Sequence, residues 1–122
     1  MKTIIIFIIF LFILKFFVYN MEKFNNKYII AKSKIHGNGI IANKNILKDT
    51  KIETAIINKY ITPYFGRKIN HCELNNNTYL KKEGNSYYIY AKRNIMKGEE
   101  LTVDYNNTPA FIKKPKNNFK IC

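Results

Sequence analysis

Asn70-His71-Cys72-Glu73-Leu74-Asn75-Asn76 and, further along, Gly98-Glu99-Glu100-Leu101-Thr102-Val103-Asp104-Tyr105 are the two stretches whose reading decides the fold of this chain. The first is a tight polar cluster. Its asparagine side chains offer both donors and acceptors, so they suit an amine and a carboxylate or hold a turn. The second reads as a turn and then a strand. Gly98 allows the turn, Leu101 and Val103 alternate with Thr102 and Asp104, and Tyr105 ends the strand. Either stretch alone is weak, because asparagines are common in loops and a tyrosine at a strand end usually packs. Upstream, His36-Gly37-Asn38-Gly39-Ile40-Ile41-Ala42 sets a Gly-x-Gly turn before a short apolar run.

Outward from these stretches the chain is made of short β-like pieces. Tyr28-Ile29-Ile30-Ala31, Ile40-Ile41-Ala42, Lys51–Ile57, Thr78-Tyr79-Leu80, Ser86–Ala91 and Leu101-Thr102-Val103 read as strands. Glu83-Gly84-Asn85 reads as a hairpin turn between two of them. Thr62-Pro63 breaks the chain, with a short helical turn over 64–68. Nothing after residue 26 sustains a 3.6-residue apolar period. Residues 27–106 are therefore expected to form one small, mostly β domain, with 21–26 as a polar linker and 107–122 as a basic tail.

The first 20 residues differ. Residues 4–14 are all Ile, Phe or Leu, and Phe16-Phe17-Val18-Tyr19 resumes the run after Lys15. Twelve residues of helix rise only about 18 Å, but counting to Tyr19 gives about 26 Å, the lower edge for a bilayer span. Lys15 would snorkel. A single uncleaved N-terminal membrane anchor is the expectation, with a cleaved signal peptide as the alternative; no small-residue cleavage pattern follows the run. Lys23, Lys27, Lys32 and Lys34 behind it place the folded part on the cytosolic side.

The formal charge is +13. Such a balance points to nucleic acid or an anionic surface, although the Lys, Asn and Ile richness can also come from base composition. Two cysteines, Cys72 and Cys122, imply no disulfide framework, and Cys72 reads as a small buried residue. His36 and His71 lack the partners of a zinc site, so no metal is expected.

Taken together and in order, the three pieces resemble the SET-domain family of protein lysine methyltransferases, and most of all the minimal SET proteins of large DNA viruses. The similarity runs from about Tyr28 to Tyr105. It implies a fold of short strands in small sheets with a C-terminal pseudoknot, here behind one hydrophobic N-terminal helix. It implies S-adenosylmethionine as cofactor and a protein lysine as substrate. By the same resemblance Gly37, Asn38 and Gly39 lie against the methionine part of the cofactor, Asn70 bonds its amino-acid end and the His71 backbone reads the adenine. Asn76 braces the knot, Tyr105 is catalytic where cofactor and lysine channel meet, and Tyr79 is a second channel tyrosine. If a side chain covers the adenine, Phe111 or Phe119 is the candidate.

The span from Glu53 to Asn70 is short, where the family carries an insert that walls the substrate groove. A second subunit could supply that wall, which makes a homodimer an expectation. The alternatives are a SET-fold binding module without catalysis, and a basic membrane-anchored protein that binds nucleic acid or anionic lipid.

Overall fold

The structure, a computed structural model, describes residues 2–23, 26–112 and 122, and at 15–23 the backbone alone. Helix α1 runs Lys2–Lys23, past the expected boundary at residue 20 and into the expected linker. Its side chains from Ile4 to Leu14 are all exposed. Among the described residues no helix is long and apolar enough to cross a membrane, so the expected anchor is not found. The apolar stretch with described side chains ends at Leu14 and rises about 17 Å, against a bilayer core of about 30 Å. The side chains that brought the run to spanning length, at 16–19, lie outside the described ones.

The rest is β. Strands β1 (Tyr28–Lys32), β2 (Asn38–Ala42), β5 (Asn70–His71) and β8 (Glu100–Val103) form one four-stranded sheet in the order β1-β2-β8-β5. Strands β3 (Lys51–Ile57), β4 (Tyr60–Ile61), β6 (Thr78–Glu83) and β7 (Ser86–Ala91) form a second, in the order β4-β3-β7-β6. All neighbours are antiparallel except β5 and β8, which run parallel with Asn70 opposite Thr102 and His71 opposite Val103.

Two turns show why the second sheet closes as it does. Glu83 pairs with Ser86 across Gly84-Asn85, and Gly84 has φ 63°. A glycine at positive φ in the first turn position is what a two-residue hairpin with a right-handed strand twist needs. Ile57 pairs with Tyr60 across Asn58 (φ 47°) and Lys59 (φ 70°), a turn with both central residues left-handed. This second hairpin was not expected from the sequence. Strand β4 is two residues long and too short to show alternation.

The inward residues of both sheets meet in one core. Ile40 and Leu101 of the first sheet, Ile52 and Ile89 of the second, Ile95 and Phe65 are fully buried. Phe65 lies in the turn over 62–69, where a helical turn was expected. That segment is a run of tight turns fastened to β3. The Thr62 hydroxyl donates to the Thr54 carbonyl (2.8 Å) and accepts the Gly66 N–H (2.8 Å).

A lattice of short bonds laces residues 69–78 to β8 and to the turn after it. The Cys72 N–H donates to the Val103 carbonyl (3.1 Å), and the Thr78 hydroxyl to the Thr102 carbonyl (2.7 Å). Asn77, buried, does most of the bracing. Its Nδ2 donates to the Glu100 carbonyl (2.8 Å) and its Oδ1 accepts the Thr102 N–H (2.9 Å). Asn76, expected to fill that role, instead ties its own loop, donating to the Cys72 and Glu73 carbonyls.

Candidate functional site

The site grows from this lacing. Asn70 and His71 occupy the two positions of β5, and their side chains serve different groups. The Asn70 Nδ2 faces the Glu100 carboxylate (2.8 Å), the Ser33 hydroxyl (3.0 Å) and the His36 carbonyl (3.0 Å). Ser33 in turn donates to Glu100 (2.7 Å) and accepts the N–H groups of Ile35 and His36. Ser33, Asn70 and Glu100 thus form one cluster at the turn between β1 and β2. Ser33 and the role of Glu100 were missed by the sequence reading. No spacing rule ties residue 33 to residue 100.

Gly37 and Gly39 have separate reasons to be glycine. Gly37 sits at φ 50° in that turn. A Cβ on Gly39 would meet the Glu100 Oε2 at 2.6 Å and the Asn70 Nδ2 at 3.1 Å. Gly39 therefore lets the carboxylate and the amide approach the β2 backbone. Asn38 lies exposed between them.

The His71 imidazole is buried. Its Nδ1 accepts the Tyr105 N–H (2.9 Å) and lies 3.9 Å from the Asp104 carboxylate. The ring lies 5.0 Å from the Tyr105 ring. Tyr105 does not end β8; it opens a one-turn 3-10 helix, Tyr105–Asn107, capped by the Asp104 carboxylate, which accepts the Asn106 N–H. The Tyr105 hydroxyl donates to the Ile69 carbonyl (2.5 Å). Burial pushes the phenol pKa up from its ordinary value.

Beside the Tyr105 ring opens a cavity of about 240 Å³ with mostly apolar walls. One side is Ala55, Ile56, Ile61, Gly66, Arg67 and Ile69, all from the short segment that was expected to leave the groove open. The short segment thus supplies one wall of the cavity from within the chain.

Two expected site residues are not brought to this place. Tyr79 lies on β6, where it is the neighbouring Leu80 that lines the cavity. Alternation along a strand sends adjacent side chains to opposite faces. The Tyr79 hydroxyl donates to Asp49 (3.1 Å) and its ring stacks on Tyr90, 5.7 Å between centroids. It does not line this cavity. Phe111 packs edge-on to Tyr87 of the second sheet, 6.4 Å between centroids, and does not join the Asn70 cluster of the first. Phe119 lies outside the described residues.

Cys72 is buried, as expected, but it is joined to Cys122 in a disulfide that was not expected. The Cys122 carbonyl accepts the N–H groups of Leu74 and Asn75, so residue 122 is seated on the loop after His71.

Comparison with known proteins agrees with this architecture. The SET domain family matches residues 55–106, a little under half of the chain. A crystal structure of a Plasmodium falciparum protein, given there as a histone methyltransferase candidate, superposes with a TM-score of 0.54. The two share 24% identity over 68% of this chain and 96% of that one. The fold is that of a SET domain. No curated protein matches the chain.

Proposed function

We propose that this protein transfers a methyl group from S-adenosylmethionine to the side-chain amine of a protein lysine. The observation that carries the reading is the pairing of Tyr105 with the Ile69 carbonyl in the lining of an apolar cavity, one residue away from the Asn70–Glu100 cluster.

The residues present fit the cofactor. Its amino-acid end carries an ammonium and a carboxylate. The Asn70 Oδ1 makes no hydrogen bond among the described residues, and the Glu100 carboxylate lies beside it, so both can accept from an ammonium. The close approach that Gly39 permits brings these acceptors to the β2 backbone. When bound, the cofactor supplies an electrophilic methyl carbon on a sulfonium. Asn70, Glu100 and the turn around Gly37 would hold its amino-acid end.

Tyr105 would work through its oxygen. Its proton is engaged by Ile69, so the phenol oxygen presents lone pairs to the cavity. With its pKa raised by burial it stays a neutral phenol and is no general base at neutral pH. It would accept from an amine N–H and, with the Ile69 carbonyl, hold the amine in line. The ordinary lysine pKa is about 10.4. The apolar walls disfavour the ammonium and so favour the form with a free lone pair. An amine so held would take the methyl group as the carbon–sulfur bond gives its electron pair to sulfur, and its proton would pass to water. Orientation supplies most of the acceleration in such a site.

Calorimetric titration of the full chain with S-adenosylmethionine tests the cofactor half of the reading. Binding is expected for the wild type, weakened at least tenfold in Asn70→Ala and within threefold of wild type in Tyr105→Phe. Absence of binding, or an Asn70→Ala variant that binds like wild type, would overturn the site assignment.

A further inference from the structure

The described charges are unevenly committed. Asp49 accepts from Tyr79, Glu53 from Tyr28, and Glu100 from Ser33 and Asn70. Glu83 pairs with Lys51, Glu99 with Arg93, and Asp104 holds the turn after β8. Glu73, exposed in the loop after His71, is the one described carboxylate outside such bonds. The cations are the reverse case in a chain of charge +13.

Arg67 stands out among them. It lines the cavity beside Tyr105, and its guanidinium makes no hydrogen bond or ion pair among the described residues. The other arginine, Arg93, forks onto Glu99 at 3.2 and 3.3 Å. Lys82 lies two residues after the cavity-lining Leu80 on edge strand β6, hence on the same face, and is exposed. Its ammonium is likewise unpaired among the described residues. No Asp or Glu lines the cavity.

We propose that the polypeptide segment that presents its lysine to this cavity is acidic, with an Asp or Glu close in sequence to the lysine that docks on Arg67. The inference rests on the methyl-transfer reading and names the substrate class for that same site. A segment rich in Lys and Arg would bring its charge to a mouth with unpaired cations and no carboxylate to receive it. Such like-charge juxtaposition is strongly disfavoured. A guanidinium fork matches a carboxylate in two parallel hydrogen bonds, which fixes register as well as attraction. A cation at the mouth also disfavours the ammonium form of the entering lysine, the form that cannot attack.

The test uses the full chain with S-adenosylmethionine and three labelled peptides that differ only in the residues around one lysine. These are Asp and Glu, Ser and Gly, or Lys and Arg. Binding is read by fluorescence anisotropy and transfer by mass, in wild type and Arg67→Glu. The expected result is binding of the acidic peptide at least tenfold tighter than the basic one at low salt. The difference should shrink at high salt and reverse in Arg67→Glu, with cofactor affinity and Tm unchanged. Equal binding, or preference for the basic peptide, overturns the inference even where transfer is seen. Acidic preference without transfer to any peptide sustains it and counts against the methyl-transfer reading. Tighter binding of a single-stranded oligonucleotide, lost in Arg67→Glu, assigns the face to nucleic acid and also overturns it.

Discussion

Replacing Asn77 by alanine removes both bonds that clip β8 to the loop before β6. The Thr102 N–H, in a residue 5% exposed, and the Glu100 carbonyl lose their partners at 2.9 and 2.8 Å. A polar group left unsatisfied in a buried place costs about 1–3 kcal/mol. Two such groups give a loss of about 2–6 kcal/mol, against a total stability of about 5–15 kcal/mol for an ordinary domain. At roughly 4–8 °C per kcal/mol for a domain of this size, Tm should fall by at least about 8 °C. Asn76→Ala is the matched control. Its side chain ties its own loop and accepts from the exposed Lys92 ammonium, and the expected loss is below about 1 kcal/mol. Urea unfolding of the full chain, followed by far-UV circular dichroism, gives both numbers. An Asn76→Ala loss equal to or larger than that of Asn77→Ala would refute the assignment of the brace.

Three further outcomes follow from the same geometry. Gly66→Ala would put a Cβ 2.2 Å from the Ala55 carbonyl, a backbone atom that cannot swing aside; the turn over 62–69 should lose about 1–3 kcal/mol by overpacking, read as a lowered urea midpoint. Reduction of the Cys72–Cys122 bond opens a loop that spans 50 residues and should cost about 2–4 kcal/mol, seen as a Tm difference between oxidised and reduced protein that Cys122→Ser abolishes. The Tyr28 and Tyr105 phenols both have pKa values pushed up, chiefly by burial. An unfolded tyrosine ionises near pH 10, so this raised-pKa contribution is complete below that pH and is lost as pH climbs through it. Spectrophotometric titration should show these two as late-ionising tyrosines, and alkaline unfolding should set in above pH 10.

What the sequence showed and what it hid divide along physical lines. Strands β3 and β7 have the bounds expected from their apolar and aromatic content, and Gly84 marked the hairpin between β6 and β7. Strands β4 and β5 are two residues each, below the length at which alternation can be read. Asn75, Asn76 and Asn77 are consecutive and chemically identical, so only packing decides that Asn77 turns inward. Tyr79 and Leu80 are a similar case, because a one-residue choice of register sends a side chain to the opposite face. The Ser33–Asn70–Glu100 cluster joins three distant segments and leaves no local trace. Cys72 and Cys122 carry no spacing signal for a bond between them. The turn at Gly37 and the strand through Leu101–Val103 were legible because their signals are local.

Methyl transfer itself is the most direct test of the central claim. Full-length protein is incubated with methyl-labelled S-adenosylmethionine and a mixed protein extract, and labelled residues are identified by mass. Label on lysine side chains with wild type, reduced at least a hundredfold in Tyr105→Phe while cofactor binding persists, is the result the site predicts. No label from a wild-type protein that binds the cofactor, or label undiminished in Tyr105→Phe, would contradict it.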